Sequence, residues 1–87
     1  MTMMINLYTM DNCRKCDALR TSLTLLKILY SETKFKNLDE LFEEFKYEQY
    51  IINAPVLSVD DVIYDIECLF DGDIVRPDIA TLFIKGD

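Results

Sequence analysis

Residues 4–16 read Met4-Ile5-Asn6-Leu7-Tyr8-Thr9-Met10-Asp11-Asn12-Cys13-Arg14-Lys15-Cys16. The run from Met4 to Thr9 is too short for a stable helix and suits a largely buried strand, while Asp11-Asn12 supplies a turn and a helix-capping signal. A helix is expected to begin near Cys13. Within it Cys16, Leu19, Leu23 and Leu26 recur at spacings of 3, 4 and 3, which is one helical stripe. Two thiols at a strand-to-helix junction suggest redox chemistry. A helix N-terminus presents unpaired N–H groups and about half a positive charge, which favours a thiolate over a thiol. Cys13 is the expected nucleophile. Cys16, one turn on and on the buried stripe, is placed to attack a mixed disulfide formed on the first sulfur.

Composition narrows the alternatives. The chain has 87 residues, 51% of them apolar, with two Gly and two Pro, so one packed domain over residues 1–87 is expected rather than disorder or a disulfide-stapled scaffold. The start, Met-Thr-Met-Met-Ile-Asn-Leu, lacks the basic and long apolar regions of a signal peptide, and no apolar run approaches membrane-spanning length. A soluble, cytoplasmic protein is expected. In a reducing compartment a close cysteine pair reads as redox-active or metal-binding rather than structural. A net charge of −7 argues against nucleic-acid partners, which draw affinity from clustered cations. The charge is divided, however. Residues 12–36 hold Arg14, Lys15, Arg20, Lys27, Lys34 and Lys36 against Asp17 and Glu32, whereas residues 37–87 hold thirteen acids against three bases.

Further along, Ile28 to Phe35 reads as a second strand. Asn37 with Glu40 resembles a capping box, and Leu38, Leu41, Phe42 and Phe45 give the apolar face of a second helix. After Asn53-Ala54-Pro55 come Val56 to Val59 and Val62 to Ile66, a hairpin around Asp60-Asp61. Asp71-Gly72-Asp73 reads as a loop. Arg76-Pro77-Asp78 opens a short last helix with Ile79, Leu82 and Phe83 inward, ended by Gly86. The order is β-α-β-α-β-β-α, an α/β chain with a mixed four-stranded sheet flanked by three helices.

These residues together resemble the thioredoxin-fold superfamily, and within it the glutaredoxins and the small glutaredoxin-like electron donors of ribonucleotide reductase. The matching positions are Cys13-Arg14-Lys15-Cys16, Ala54-Pro55-Val56 and Arg76-Pro77-Asp78, and the similarity covers nearly the whole chain. It implies a cis bond before Pro55, packed beside the thiols, and Ala54 backbone groups left free to pair with an extended substrate. It also implies a dithiol oxidoreductase, likewise suited to a monomer, that reduces protein or small-molecule disulfides and takes electrons from glutathione or thioredoxin reductase. No bound cofactor is implied; glutathione enters as reductant. Glutaredoxins commonly place a Lys three residues before the first Cys, an aromatic before the second, and Gly-Gly after the hairpin, all used to grip glutathione. Here Met10, Lys15 and Asp65-Ile66-Glu67 stand instead. The stretch from Glu67 to Val75 is longer than the family's usual link to the last helix.

The expected site therefore comprises Cys13 and Cys16 as the reacting pair, with Arg14, Lys15, Ala54, Pro55 and Tyr8 contacting substrate. Arg14 and Lys15 are cations that would lower a neighbouring thiol's pKa, or simply solvated helix-start residues. Tyr8 either lines the thiol pocket or is a core aromatic. Cys68, among Ile66, Leu69 and Phe70, is expected to be a buried small hydrophobe. Two other functions use the same residues: a non-catalytic thioredoxin-fold binding module, and a metal or iron–sulfur protein. The latter is poorly provided for, since zinc wants four ligands and the chain has no His.

Overall fold

Ile5, Leu7 and Thr9 of strand β1 (Ile5–Met10) are buried and alternate with half-buried Asn6, Tyr8 and Met10, as a strand covered more heavily on one face requires. The structure, a computed structural model, describes residues 3–83. Helix α1 (Arg14–Leu25) carries the chain over the sheet to β2 (Ser31–Phe35), which pairs parallel to β1 at its edge. Helix α2 (Leu38–Phe45) then leads to β3 (Val56–Val59), antiparallel to β1, and β4 (Val62–Tyr64) completes a sheet of order β2-β1-β3-β4. Strand β3 is buried along its whole length, because it lies inside the sheet with a cluster on each face. Leu57 joins Ile5, Leu7, Leu19 and Leu23 on one side; Val56 joins Leu41, Phe45, Ile51, Ala54 and Cys16 on the other.

Local chemistry explains the element ends. In α1 the amide of Ile28 donates to the Leu23 carbonyl at 2.9 Å and that of Lys27 to Thr24 at 3.0 Å, with Lys27 at φ 59°. This is a Schellman ending with Lys where Gly is usual. It turns the chain just after the C-cap Leu26, which is 40% exposed; the buried stripe ends at Leu23, and β2 starts at Ser31 rather than Ile28. Half of the capping box forms: Asn37 Oδ1 accepts from the Glu40 amide, while the Glu40 carboxylate reaches past the cap to the Lys36 amide, both at 3.0 Å. At the β3–β4 turn Asp60 and Asp61 adopt φ 49° and 73°, the left-handed pair of a two-residue hairpin, which Asp tolerates better than most residues. Asp60 also ties the turn to β1, its carboxylate accepting from the Met4 amide at 2.8 Å.

Beyond β4 the chain departs from expectation. Asp65 ends the strand and caps α3 (Ile66–Leu69), its carboxylate accepting from the amides of Glu67 and Cys68. Two short strands follow, β5 (Phe70–Asp71) and β6 (Ile74–Val75), so Gly72-Asp73 is a hairpin turn rather than an open loop. Gly72 supplies φ 65° at its first central position. The closing helix is a 3₁₀ turn, Ile79–Phe83, with Ile79 buried and Leu82 and Phe83 packed on the core. Gly86 lies outside the described residues. Among those residues, no helix is long and apolar enough to cross a membrane.

Candidate active site

Asn12, at φ 55°, turns the chain out of β1, and Cys13 follows in extended conformation as the residue that caps α1. The cap is thus Cys13 itself and not Asp11-Asn12: its Sγ accepts from the Cys16 amide at 3.1 Å, and its carbonyl accepts from the Asp17 amide. An anionic sulfur at this position would gain a hydrogen bond and the positive end of the helix together. The Cα atoms of Cys13 and Cys16 are 5.2 Å apart and the sulfurs stand at disulfide-bonding distance. Cys16 is fully buried whereas Cys13 is partly exposed, so a partner molecule meets Cys13 first.

The segment entering β3 forms the opposite side. Ala54–Pro55 is cis, and Pro55 is buried. The Ala54 carbonyl lies 3.9 Å from Cys13 Sγ, within reach of a sulfhydryl donor. The Ala54 amide donates to the side chain of its own neighbour, Asn53 Oδ1, at 2.8 Å. The expectation that both backbone groups stand free is therefore corrected: a short polar side chain has folded back onto the amide.

A cleft of about 280 Å³ lies between these elements. Met10, Asp11 and Asn12 from the end of β1 line it, with Cys13, Arg14 and Lys15 at the start of α1, Asn53 and Ala54 before β3, and Asp73 of the β5–β6 turn. Lys15 Nζ sits 5.6 Å above the Phe70 ring, a cation–π contact that fastens the base of the hairpin to the start of α1. Asp11 is paired with Lys34 at 3.2 Å. No ion pair among the described residues involves Arg14, Lys15 or Asp73.

The structure thus brings Cys13, Arg14, Lys15 and Ala54 together around one cleft, with Cys16 and Pro55 buried alongside. Tyr8 does not line it. Its ring packs edge-on against Phe45 at 4.9 Å and beside Phe35, so the core-aromatic reading holds. Burial, and then Glu44 and Glu48, raise its pKa. Cys68 is exposed rather than buried. Leu69 alone in α3 is buried, and a one-turn helix that commits Leu69 to the core turns Cys68 outward. Asn53 and Asp73 escaped the sequence reading. Asn53 next to Ala-Pro carries no pattern of its own. Asp73 follows an Asp-Gly turn signal, but its flanking strands are too short for alternation to show.

A site of two cysteines at a helix start beside a cis-proline strand defines the thioredoxin-like class of fold. Within that class, the structure is similar to glutaredoxin 1 from Francisella tularensis, solved in complex with cacodylate, with a TM-score of 0.64 and 19% identity over 71% of this chain and 80% of that one. The chain has the glutaredoxin-like form of the thioredoxin fold. No protein-family model matches the sequence, and no curated protein does.

Proposed function

We propose that the chain is a single-domain dithiol oxidoreductase that reduces disulfides through Cys13 and Cys16. The observation carrying this reading is the asymmetry of the pair: one sulfur capping a helix and reachable, the other buried and at bonding distance from it. In the reduced protein the Cys13 thiolate attacks one sulfur of a substrate disulfide. A mixed disulfide forms and the other substrate sulfur leaves as a thiolate that takes up a proton. Cys16, deprotonated, then attacks Cys13 Sγ, expelling the second substrate thiol and closing the Cys13–Cys16 disulfide. Two electrons pass to the substrate, and a thiol or flavin-dependent reductase must return them. Arg14 and Lys15 favour the anionic sulfur, and the Ala54 carbonyl offers a hydrogen-bond acceptor to the incoming chain.

Glutathione or thioredoxin reductase is the proposed electron source, a disulfide-bearing protein the proposed substrate, and a reducing cytoplasm the proposed setting for a monomer. Ribonucleotide reductase is one client that the fold's resemblance suggests. Paired turnover assays test the reading, one with glutathione and glutathione reductase, the other with thioredoxin reductase. Turnover in either supports it. Activity in neither, with Cys13 inert to alkylation at neutral pH, would overturn it.

A further inference from the structure

Building on that redox reading, we infer that Asp73 is a specificity-determining residue: its charge favours disulfides flanked by cationic side chains over anionic ones, opposing the Arg14 and Lys15 charges that line the same cleft. Asp73 sits on the extra hairpin β5–β6, which the dithiol chemistry itself does not use. Among the described residues of the acidic half, its tip alone contributes an acid, Asp73, to the lining of the thiol cleft.

The hairpin that carries Asp73 is anchored at its base. Phe70 at its base is in the core, its ring lies under Lys15 Nζ, and the Arg76 amide closes the strand ends on the Leu69 carbonyl at 2.9 Å. Arg76 Nη2 adds a bond to the Glu67 carbonyl at 3.2 Å. Of the two acids lining the cleft, Asp11 is offset by Lys34, while no ion pair among the described residues offsets Asp73. Arg14 and Lys15 line the same cleft next to Cys13 in the chain. A substrate reaching Cys13 through this cleft passes Asp73 with the residues beside its own cysteine. A positive neighbour gains there and a negative one loses.

The magnitude is set by Coulomb attraction in partly solvated surroundings. Exchanging a Lys for a Glu beside the substrate cysteine changes the interaction with one carboxylate about three- to tenfold at low salt, and less at high salt.

The test is single-turnover kinetics with pre-reduced protein and two short peptides, Lys-Cys-Lys and Glu-Cys-Glu, each carrying its cysteine as a mixed disulfide with neutral 2-thiopyridine. Release of pyridine-2-thione is followed by absorbance. Asp73→Asn should lower the Lys-to-Glu rate ratio about three- to tenfold, and Asp73→Lys should lower it further. Asp71→Asn makes the same change in net charge on the same hairpin but outside the cleft lining, and should leave the ratio nearly unchanged. Equal shifts from Asp73→Asn and Asp71→Asn, or no shift from Asp73→Asn, overturn the inference while leaving the redox reading intact. No release by the unaltered protein from either peptide overturns the redox reading, and this inference with it.

Discussion

Asn53 Oδ1 accepts a hydrogen bond from the amide of Ala54 at 2.8 Å, on the strand entry that faces Cys13. An extended substrate pairing along this edge must displace that side chain before it can receive the amide. Asn53→Ala is expected to raise kcat/KM for a peptide disulfide by about two- to fivefold, the value of one competing hydrogen bond. A small disulfide such as hydroxyethyl disulfide, which makes no backbone pairing, should be turned over unchanged. Steady-state kinetics on the two substrates separate these effects, and an equal rise in both would point to a wider opening of the cleft instead.

The unequal exposure of the two cysteines predicts an order of events. Cys16→Ser should stop turnover after the first transfer and accumulate a covalent adduct with one equivalent of substrate, visible by intact mass. Cys13→Ser should give no such adduct at that site. An adduct on Cys16 in the second variant would show that the buried sulfur can act first.

Alkylation distinguishes the third thiol from the first. Partial desolvation, and then the Asp65 carboxylate, push the Cys68 thiol up from its ordinary value, so little thiolate is present near neutrality. In the reduced protein iodoacetamide should modify Cys13 at least about tenfold faster than Cys68 at pH 7. Peptide mapping against time measures both rates, and comparable rates would mean that the helix terminus does not activate Cys13.

Strand β2 is held to the molecule by a charged cluster with one buried member. The Thr9 hydroxyl, fully buried, donates to Glu32 at 2.7 Å; Arg20 donates to both Glu32 oxygens, at 2.8 and 3.0 Å, and also to Asp17. The Arg20 hydrogen bonds, with a smaller contribution from Thr9, lower the Glu32 pKa from 4.5. A carboxylate whose pKa falls on folding stabilises the protein above its unfolded value. That stabilisation declines as pH falls below 4.5 and is gone once the pH is below the folded value. Glu32→Gln should therefore cost about 1 kcal/mol at pH 7 and shrink the acid-induced loss of stability over that window. Urea unfolding at pH 7 and at successively lower pH checks both parts.

The β3–β4 turn holds Asp61 at φ 73°, where a side chain is a cost. Asp61→Gly should stabilise the fold by about 0.5 kcal/mol, the relief of a left-handed residue less the extra freedom gained by the unfolded chain. A lower urea midpoint in the variant would mean that the Asp61 side chain contributes more than its backbone strain removes.

Much of this architecture could be read from residue patterns. The buried strand before Cys13, the Cys16–Leu19–Leu23–Leu26 stripe and the Asn37 cap each express one local rule, and the structure follows each except at Leu26, which is 40% exposed. Where reading erred, the rule that won was equally local but had no sequence mark. Lys27 ends α1 in a conformation usually signalled by Gly. Asp65 caps a helix too short to show a period, and that single turn decides that Cys68 faces outward. Asn53 and Asp73 join the cleft from segments far along the chain, brought to Cys13 by tertiary packing and with no spacing relative to it.

The excursion from Phe70 to Val75 begins and ends at nearly one point, where the Arg76 amide meets the Leu69 carbonyl. A segment whose ends are already joined behaves as a cassette. Its tip can be lengthened, shortened or recharged with little demand on the sheet or on the helix that carries the thiols. In this chain Asp73 can thereby be exchanged on an anchored turn, with Gly72 kept for its φ of 65°, while Cys13 and Cys16 stay where α1 puts them.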